Sequence, residues 1–249
     1  MREEELIKAV QSISFTPDNQ DRIMEKIRCP EKERMEKKGM SKKKILVIAL
    51  AATMLLGVTV MAASGIITNW YSSSTSKPEY TRLPTQEQCK KDVGYEAILT
   101  ERFSNGYIFK SGDVVSNQLE DSNGNTAEAF KSLCFYYEKA EDKVIFSQDR
   151  YTSPIPPSGD VAAKAGETDI FYNAYRNKFV PGDYQLTEED KKAEETGQLV
   201  FSYGTEDVEI IDVQAVSWSD GNMHYELMQM DGKLSKAELI EMAKEIIKE

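Results

Sequence analysis

The chain contains one long stretch without charge, from Ile45 to Ile67, and this stretch limits what the rest can fold into. A helix of about 20 apolar residues is long enough to cross the hydrocarbon core of a bilayer. The polar segment of 44 residues before it is longer than the charged start of a cleaved signal peptide. The sequence therefore predicts one transmembrane helix over residues 45–67, with a cleaved signal peptide as the alternative.

Charges divide the chain into two unlike parts on either side of this stretch. Residues 1–44 hold 12 basic and 9 acidic residues, and five of the lysines crowd the end next to Ile45. The remaining part holds 19 basic and 33 acidic residues, so the overall net charge of −11 combines opposite contributions. Because basic residues concentrate on the cytoplasmic side of a membrane span, we expect a single-pass cell-membrane protein with a cytoplasmic N-terminus and an extracytoplasmic C-terminal domain.

The cytoplasmic segment 1–44 is predicted to form short helices whose apolar residues lack a core of their own. These residues recur at helical spacing in two narrow stripes. Two helices of roughly 25 residues together are too small to bury such stripes alone. We therefore expect a cytoplasmic protein partner, and the alternative is a tail whose helices rest on the lipid surface. The candidate partner-binding residues are Leu6, Ile7, Val10, Ile23 and Ile27.

The three cysteines fall on different sides of the predicted membrane helix. Cys29 lies in the cytoplasmic segment, which has no histidine and therefore lacks the four ligands that structural zinc requires. Cys89 and Cys134 lie outside, where a disulfide is chemically permitted. Spacing alone does not decide whether they pair, because a bridge depends on the distance between their Cα atoms and Cys134 also fits an apolar core strand.

Beyond the predicted span, composition separates a stalk from a folded domain. Residues 68–91 contain SSSTSK, two prolines and mixed charge without apolar periodicity, which predicts a linker. The folded domain is expected over residues 92–249. Alternating patterns around Asn105-Gly106 and Glu141-Asp142 predict antiparallel hairpins there.

The stretch from Val213 to Met230 predicts a further hairpin around Asp220-Gly221, a dipeptide suited to a tight type I′ turn. With Ser219 opposite Asn222, Trp218 faces Met223 and Val216 faces Tyr225. One side of the hairpin is then apolar, and the other side is expected to be exposed to solvent. That exposed side carries Ser217, His224 and Glu226.

The chain ends in a predicted amphipathic helix. Ser235 and Glu238 fit a capping box, and apolar residues from Leu239 to Ile247 form a stripe that should pack on the preceding hairpin. A shorter helix is predicted from Glu188 to Thr196, with Thr187 as its N-cap. The expected fold class is therefore α+β, an antiparallel sheet with a C-terminal amphipathic helix, joined to one transmembrane helix and short cytoplasmic helices.

No residue pattern predicts an enzyme, a cofactor site or a metal site. His224 is the only histidine in the chain, which excludes sites built from several histidines. The segment Asp121–Asn125 has oxygen ligands at alternate positions, but Thr126 and Ser132 occupy the positions where a calcium loop needs Gly and Glu, so a surface loop is favoured. Nucleic-acid binding is not expected of the acidic C-terminal part.

Two C-terminal stretches of the sequence are AVSWSDGNMHYELMQMDGKLSKAELIEMAKEII and FVPGDYQLTEEDKKAEETGQLVFSYG. Both resemble anti-sigma-factor-like single-pass membrane proteins of Gram-positive bacteria. The resemblance implies an extracytoplasmic domain of unknown function and a possible sigma factor as the cytoplasmic partner. The zinc-binding His and paired Cys of many such proteins have no counterpart in residues 1–44.

Two functions are therefore expected. The first is a membrane-anchored regulator that couples an envelope signal to a cytoplasmic partner. The alternative is an envelope-facing module that binds a ligand or peptide and has no cytoplasmic regulatory role.

Overall fold

A computed structural model of the chain describes residues 60–62, 65–75, 77–121, 123, 125–150, 159–196 and 199–248. These residues form a half-barrel that is mostly β-sheet, with three short helices. The α+β expectation is therefore wrong. It failed because the sequence reasoning missed the length of the strands, two of which have 14 residues each.

The strands are β1 (Val60–Ala62), β2 (Gly65–Ser73), β3 (Ile108–Asp121), β4 (Thr126–Lys139), β5 (Asp142–Arg150), β6 (Asp160–Ala165), β7 (Thr168–Val180), β8 (Leu199–Tyr203), β9 (Glu209–Asp220) and β10 (Met223–Met230). The helices are α1 (Gln86–Val93), α2 (Glu188–Glu195) and α3 (Lys236–Lys248).

All strands belong to one sheet, in the order β1-β2-β3-β4-β5-β10-β9-β7-β6. Neighbours along this path are antiparallel, and β8 adds to β7 as a parallel strand. Strands β9 and β10 insert the end of the chain between β5 and β7, so β5 pairs with β10. Residues far apart in sequence thereby lie side by side at the centre of the sheet.

One face of the sheet, here called the first face, carries the main core. The rings of Phe146, Trp218 and Tyr225 stack there, with centroids 5.5–6.2 Å apart. Helix α3 packs against this side through Leu239 and Ala243, which are fully buried. Alternation along each strand places these aromatic residues on the same side as the helix.

The predicted helix starts are confirmed by their hydrogen bonds. Ser235 and Glu238 form a reciprocal capping box, with backbone N–H groups donating to the Ser235 hydroxyl and the Glu238 carboxylate. Thr187 caps α2 in the same way through Asp190. Each pair satisfies amide groups that have no partner within the first turn of a helix.

The predicted hairpin over residues 95–110 does not form as expected. Residues 95–107 lie on the first face mainly as irregular backbone, and Tyr95, Phe103 and Tyr107 are buried there. The Gln148 amide holds this segment, because it accepts a hydrogen bond from Ile98 N at 2.7 Å and donates one to Ile98 O at 2.9 Å. The aromatic residues that suggested a strand therefore cover the sheet.

The predicted transmembrane helix over residues 45–67 is wrong where the structure describes it. Val60–Ala62 and Gly65–Ser73 are paired β-strands, and β2 continues the sheet by pairing with β3. Residues 45–59 lie outside the described residues, as does the predicted cytoplasmic segment. Among the described residues, no helix has the length and apolar character needed to cross a bilayer.

The stalk expected over residues 68–91 is instead part of the fold where the structure describes it. Tyr80 and Gly112 exchange two backbone hydrogen bonds of 2.8 Å. A side chain at position 112 would not fit, because a Cβ there would lie 2.7 Å from the Phe135 ring. Cys89 of α1 is fully buried in the core. Prolines and serines in this segment suggested a linker, whereas its few large residues are packed.

Candidate functional site

The hairpin β9–β10 has a different register from the predicted one. Tyr225 lies opposite Trp218, and Met223 lies opposite Asp220, so the turn is Gly221-Asn222. Gly221 has φ of 59°, a conformation that glycine adopts easily. The shift is by two residues, which preserves the division of side chains between faces because strand side chains alternate with period two.

The face opposite α3, here called the second face, was expected to be exposed and is buried instead. Ser217 is 4% exposed, and His224 and Glu226 are each 7% exposed. The expectation failed because polar residues alternating with apolar ones are typical of a strand with one solvated side. This sheet has buried side chains on both sides, so the alternation separates an aromatic core from a polar interior.

A continuous line of polar side chains crosses the second face, and we call it the polar row. Five consecutive strands contribute to it through in-register neighbours. All five residues are buried. In order along the sheet they are Asp113, Cys134, Ser147, Glu226 and Ser217.

Two further rows of the second face flank the polar row and differ in character. On one side, Asp149 pairs with His224, which pairs with Ser219. On the other side lie larger apolar groups, including Ile145 and Met228. This apolar row consists of Tyr136, Ile145, Met228 and Ala215. The second face therefore presents polar and apolar groups side by side.

Glu226 occupies the middle of the polar row, between two serines. Ser147 lies opposite it on β5 and Ser217 lies opposite it on β9. Its Oε1 atom is buried without a hydrogen-bond partner among the described residues. Burial, together with the nearby negative charge of Asp149, raises the pKa of Glu226 to about 8. The Glu226 carboxyl is therefore mostly protonated at pH 7 and ionises near pH 8.

His224 is a buried neutral imidazole in the free protein. Burial lowers the pKa of His224 to about 4, because a charged ring loses its hydration there. Its Nδ1 lies 3.4 Å from the Ser219 hydroxyl oxygen. Histidine in this environment supplies a polar, uncharged neighbour to Asp149.

Cys134 belongs to the polar row and is not part of a disulfide. Both Cys134 and Cys89 are free and buried. The Cys134 Sγ lies 3.5 Å from the Ser147 Oγ. Burial and the nearby carboxylates, Asp149 first, raise the pKa of the Cys134 thiol to about 12, which suppresses the reactive thiolate.

Asp113 ends the polar row on β3, beside the segment that contains Glu79. One of its oxygens accepts a hydrogen bond from Glu79 N at 3.3 Å. Burial raises the pKa of Asp113, and a hydrogen bond from the Tyr136 hydroxyl opposes that rise. Asp113 is thus already engaged, in contrast to Glu226.

Metal ligation is not supported by the described residues. No group of three His, Cys, Asp or Glu side chains among them is arranged to hold a metal ion. The Asp121 carboxylate, considered above as part of a calcium loop, accepts hydrogen bonds from Asn123 N at 2.9 Å and Asn125 N at 2.8 Å. Its oxygens therefore shape the turn between β3 and β4.

A buried ion pair outside the polar row, Lys178 with Asp190, has a structural role. Lys178 Nζ lies 2.6 Å from Asp190 Oδ1, and the Tyr184 hydroxyl donates to the other carboxylate oxygen at 2.8 Å. These bonds lower the pKa of Asp190 and attach the start of α2 to strand β7.

The predicted partner-binding residues Leu6, Ile7, Val10, Ile23 and Ile27 lie outside the described residues. Their role stays a prediction. Sequence reasoning missed the polar row altogether, because it treated Glu226 and Ser217 as solvated. One signal was present: Ser217 and Glu226 each stand between two apolar residues in a strand.

Comparisons of this chain with known protein families, curated proteins and solved structures found no match.

Proposed function

We propose that this protein is a binding module whose ligand occupies the second face of the sheet. The observation that carries the proposal is the buried Glu226 carboxyl, whose Oε1 has no partner among the described residues. Leaving such an atom unpaired costs on the order of 1–3 kcal/mol, so proteins generally pair it. A bound ligand that donates a hydrogen bond there would remove this cost.

The composition of the second face also supports a binding site. Small molecules bind to surfaces that are mostly apolar and contain a few fixed polar groups. The apolar row and the polar row supply both, side by side. Helix α3 packs on the first face, whereas Ala215 and Met228 of the second face belong to a smaller, separate core cluster with Val213.

The test measures binding of N-phenyl-1-naphthylamine to the full chain. This neutral dye fluoresces more strongly in apolar surroundings. The blocking variant is Ala215→Phe, which adds a ring to the apolar row at a residue that is 5% exposed. We expect it to weaken dye binding by about tenfold or more, because the added ring occupies the site. The matched control is Ile210→Phe on the other face of β9, at a residue that is 46% exposed, where binding should be unchanged.

A second variant protects this test against misfolding. Met228→Ala removes apolar surface from the same row without adding volume, and it should weaken the affinity for the dye by about three- to tenfold. The proposal fails if the full chain does not enhance the dye's fluorescence, or if neither variant changes an enhancement that occurs.

Regulation of a cytoplasmic partner, including a sigma factor, rests on the resemblance and on residues 1–44. The described residues add no observation in its favour, so the binding module is the function we put forward.

A further inference from the structure

We infer that the ligand of the second face is an amphipathic amine, whose ammonium group lies against Glu226 while its apolar part lies along Ile145 and Met228. This inference rests on the proposed function and names the chemical class of its ligand.

The first argument is the charge of the site. Within the polar row and its two flanking rows, the described residues include three carboxyl groups and no lysine or arginine. The carboxyl groups are those of Asp113, Asp149 and Glu226. Asp113 already accepts a hydrogen bond from Glu79 N, and Asp149 has contacts of its own, so Glu226 with its unpartnered Oε1 is the carboxyl group open to a cation. Buried charges in proteins are normally paired, so the ionised form of Glu226 favours a cationic ligand.

The second argument is the direction of the hydrogen bonds. An ammonium group has three donors and no acceptor. Glu226 is flanked by the hydroxyl groups of Ser147 and Ser217, each of which has lone pairs to offer. The unpartnered Oε1 of Glu226 and one hydroxyl oxygen on each side make three acceptor oxygens, which matches the three donors of a primary ammonium group.

The third argument is the placement of apolar groups on only one side of the polar row. Ile145 and Met228 lie in the row next to Glu226, whereas Asp149 and His224 lie on its other side. A ligand with an amine at one end and an alkyl chain at the other fits this arrangement. Above about pH 8, where Glu226 is ionised, a fatty acid of the same length would bring a second negative charge against it and is disfavoured.

The pH dependence of binding follows from the groups that face Glu226. These are Ser147 and Asp149 on β5, Ser217 on β9, His224 on β10 and Cys134 on β4. With pKa values of about 4 and about 12, His224 and Cys134 keep their charge between about pH 7 and pH 9. The pKa of Glu226 lies in that interval, at about 8. Binding of an ammonium should therefore tighten as pH rises and Glu226 ionises.

The experiment compares three probes that have the same ten-carbon chain. It measures how well each probe displaces the neutral dye from the full protein. Every probe is kept below the concentration at which it forms micelles. The probes are decylamine, which is protonated at neutral pH, decanol and decanoate. We expect decylamine to bind about tenfold or more tightly than decanol at about pH 9, and decanoate to bind most weakly. The preference for decylamine should be smaller at about pH 7.

The diagnostic variant is Glu226→Gln, which keeps the shape and removes the negative charge. It should abolish the preference for decylamine and its pH dependence while decanol still binds. The control is Glu138→Gln, the same change at a carboxylate that already has lysine partners, Lys110 and Lys143. The control should keep the preference.

The outcomes separate this inference from the proposed function. Equal binding of decylamine and decanol, tighter binding of decanoate, or a preference that survives Glu226→Gln overturns the amine while the binding module stands. Displacement by none of the probes, with the dye still bound, also overturns it. Absence of dye binding overturns the proposed function.

Discussion

The two faces of this sheet are built from the same strands but differ in what they bury. The first face stacks Phe146, Trp218 and Tyr225 under helix α3. The second face buries Ser147, Glu226 and other polar groups at the adjacent positions of those strands. The difference shows that alternation in a strand does not by itself distinguish a solvated side from a polar interior.

This contrast also divides stability from function. Close-packed rings lose contacts whenever a side chain is shortened, so the first face should control folding. Buried polar groups oppose folding unless they are paired, so the unpartnered Glu226 carboxyl of the second face should cost stability. Substitutions on each face test this division.

The largest expected effect is on the first face. Phe146→Ala removes a fully buried ring that stacks on two others, and we expect a loss of about 4 kcal/mol in the free energy of unfolding. Urea denaturation followed by circular dichroism measures it. The control is Ile145→Ala, on the neighbouring residue of the second face, with a loss of about 1 kcal/mol. Equal losses at both positions would contradict the division between faces.

The next effect has the opposite sign and concerns Glu226. Its pKa in the folded protein, about 8, lies above the ordinary value, so the folded state binds the extra proton and stability falls as pH rises from about 4.5 to 8. The complete shift corresponds to about 5 kcal/mol, and water entering on ionisation reduces it to about 3 kcal/mol. Glu226→Gln should therefore stabilise the protein by about 3 kcal/mol at pH 9 and by little at pH 5.

Thermal unfolding of both proteins across this pH interval checks the expectation. A variant that is less stable than the parent at high pH would show that the ionised carboxylate is paired in the free protein. Glu138→Gln, whose carboxylate is paired with lysines near the surface, should show no comparable trend.

The third prediction concerns His224 in acid. Its pKa in the folded protein is about 4, below the ordinary value of 6.5, so the unfolded state binds the proton first. Stability is therefore complete above about pH 6.5 and is lost as pH falls towards 4, by about 2 kcal/mol after allowing for water entry. His224→Gln should remove this part of the acid sensitivity. Denaturation midpoints at pH 7 and about pH 4.5 measure it, and parallel losses in both proteins would contradict it.

Local signals in the sequence predicted the helix ends and the positions of several strands. Ser235 with Glu238 and Thr187 with Asp190 are contacts within four residues of each other, which the sequence displays directly. The pairing of β5 with β10 is different, because Phe146 and Leu227 are brought together only by the order of the whole sheet. The order of the strands in the sheet was missed for this reason.

The candidate site was unpredictable for the same reason. Its five residues come from five strands, and Cys134, Ser147 and Glu226 become neighbours only through strand order. The sequence showed Glu226 as one of 42 acidic residues, most of which are solvated in a protein of this kind. The register error of two residues in the last hairpin preserved the faces, so it did not hide the site. The site was missed because this face was assumed to be exposed to solvent.

The smallest expected effect comes from removing the N-cap of α3, the helix that covers the first face. Ser235→Ala removes the hydroxyl that accepts a hydrogen bond from Glu238 N at the start of α3, and the loss should be about 1 kcal/mol. Because α3 packs on the first face alone, binding of the neutral dye to the second face should be unchanged in the folded variant. Ser235→Asp, which also caps a helix, should restore most of the stability. A change in dye affinity that follows the loss of the cap would mean that the two faces are coupled through the sheet, and the second face would then report on the packing of the first.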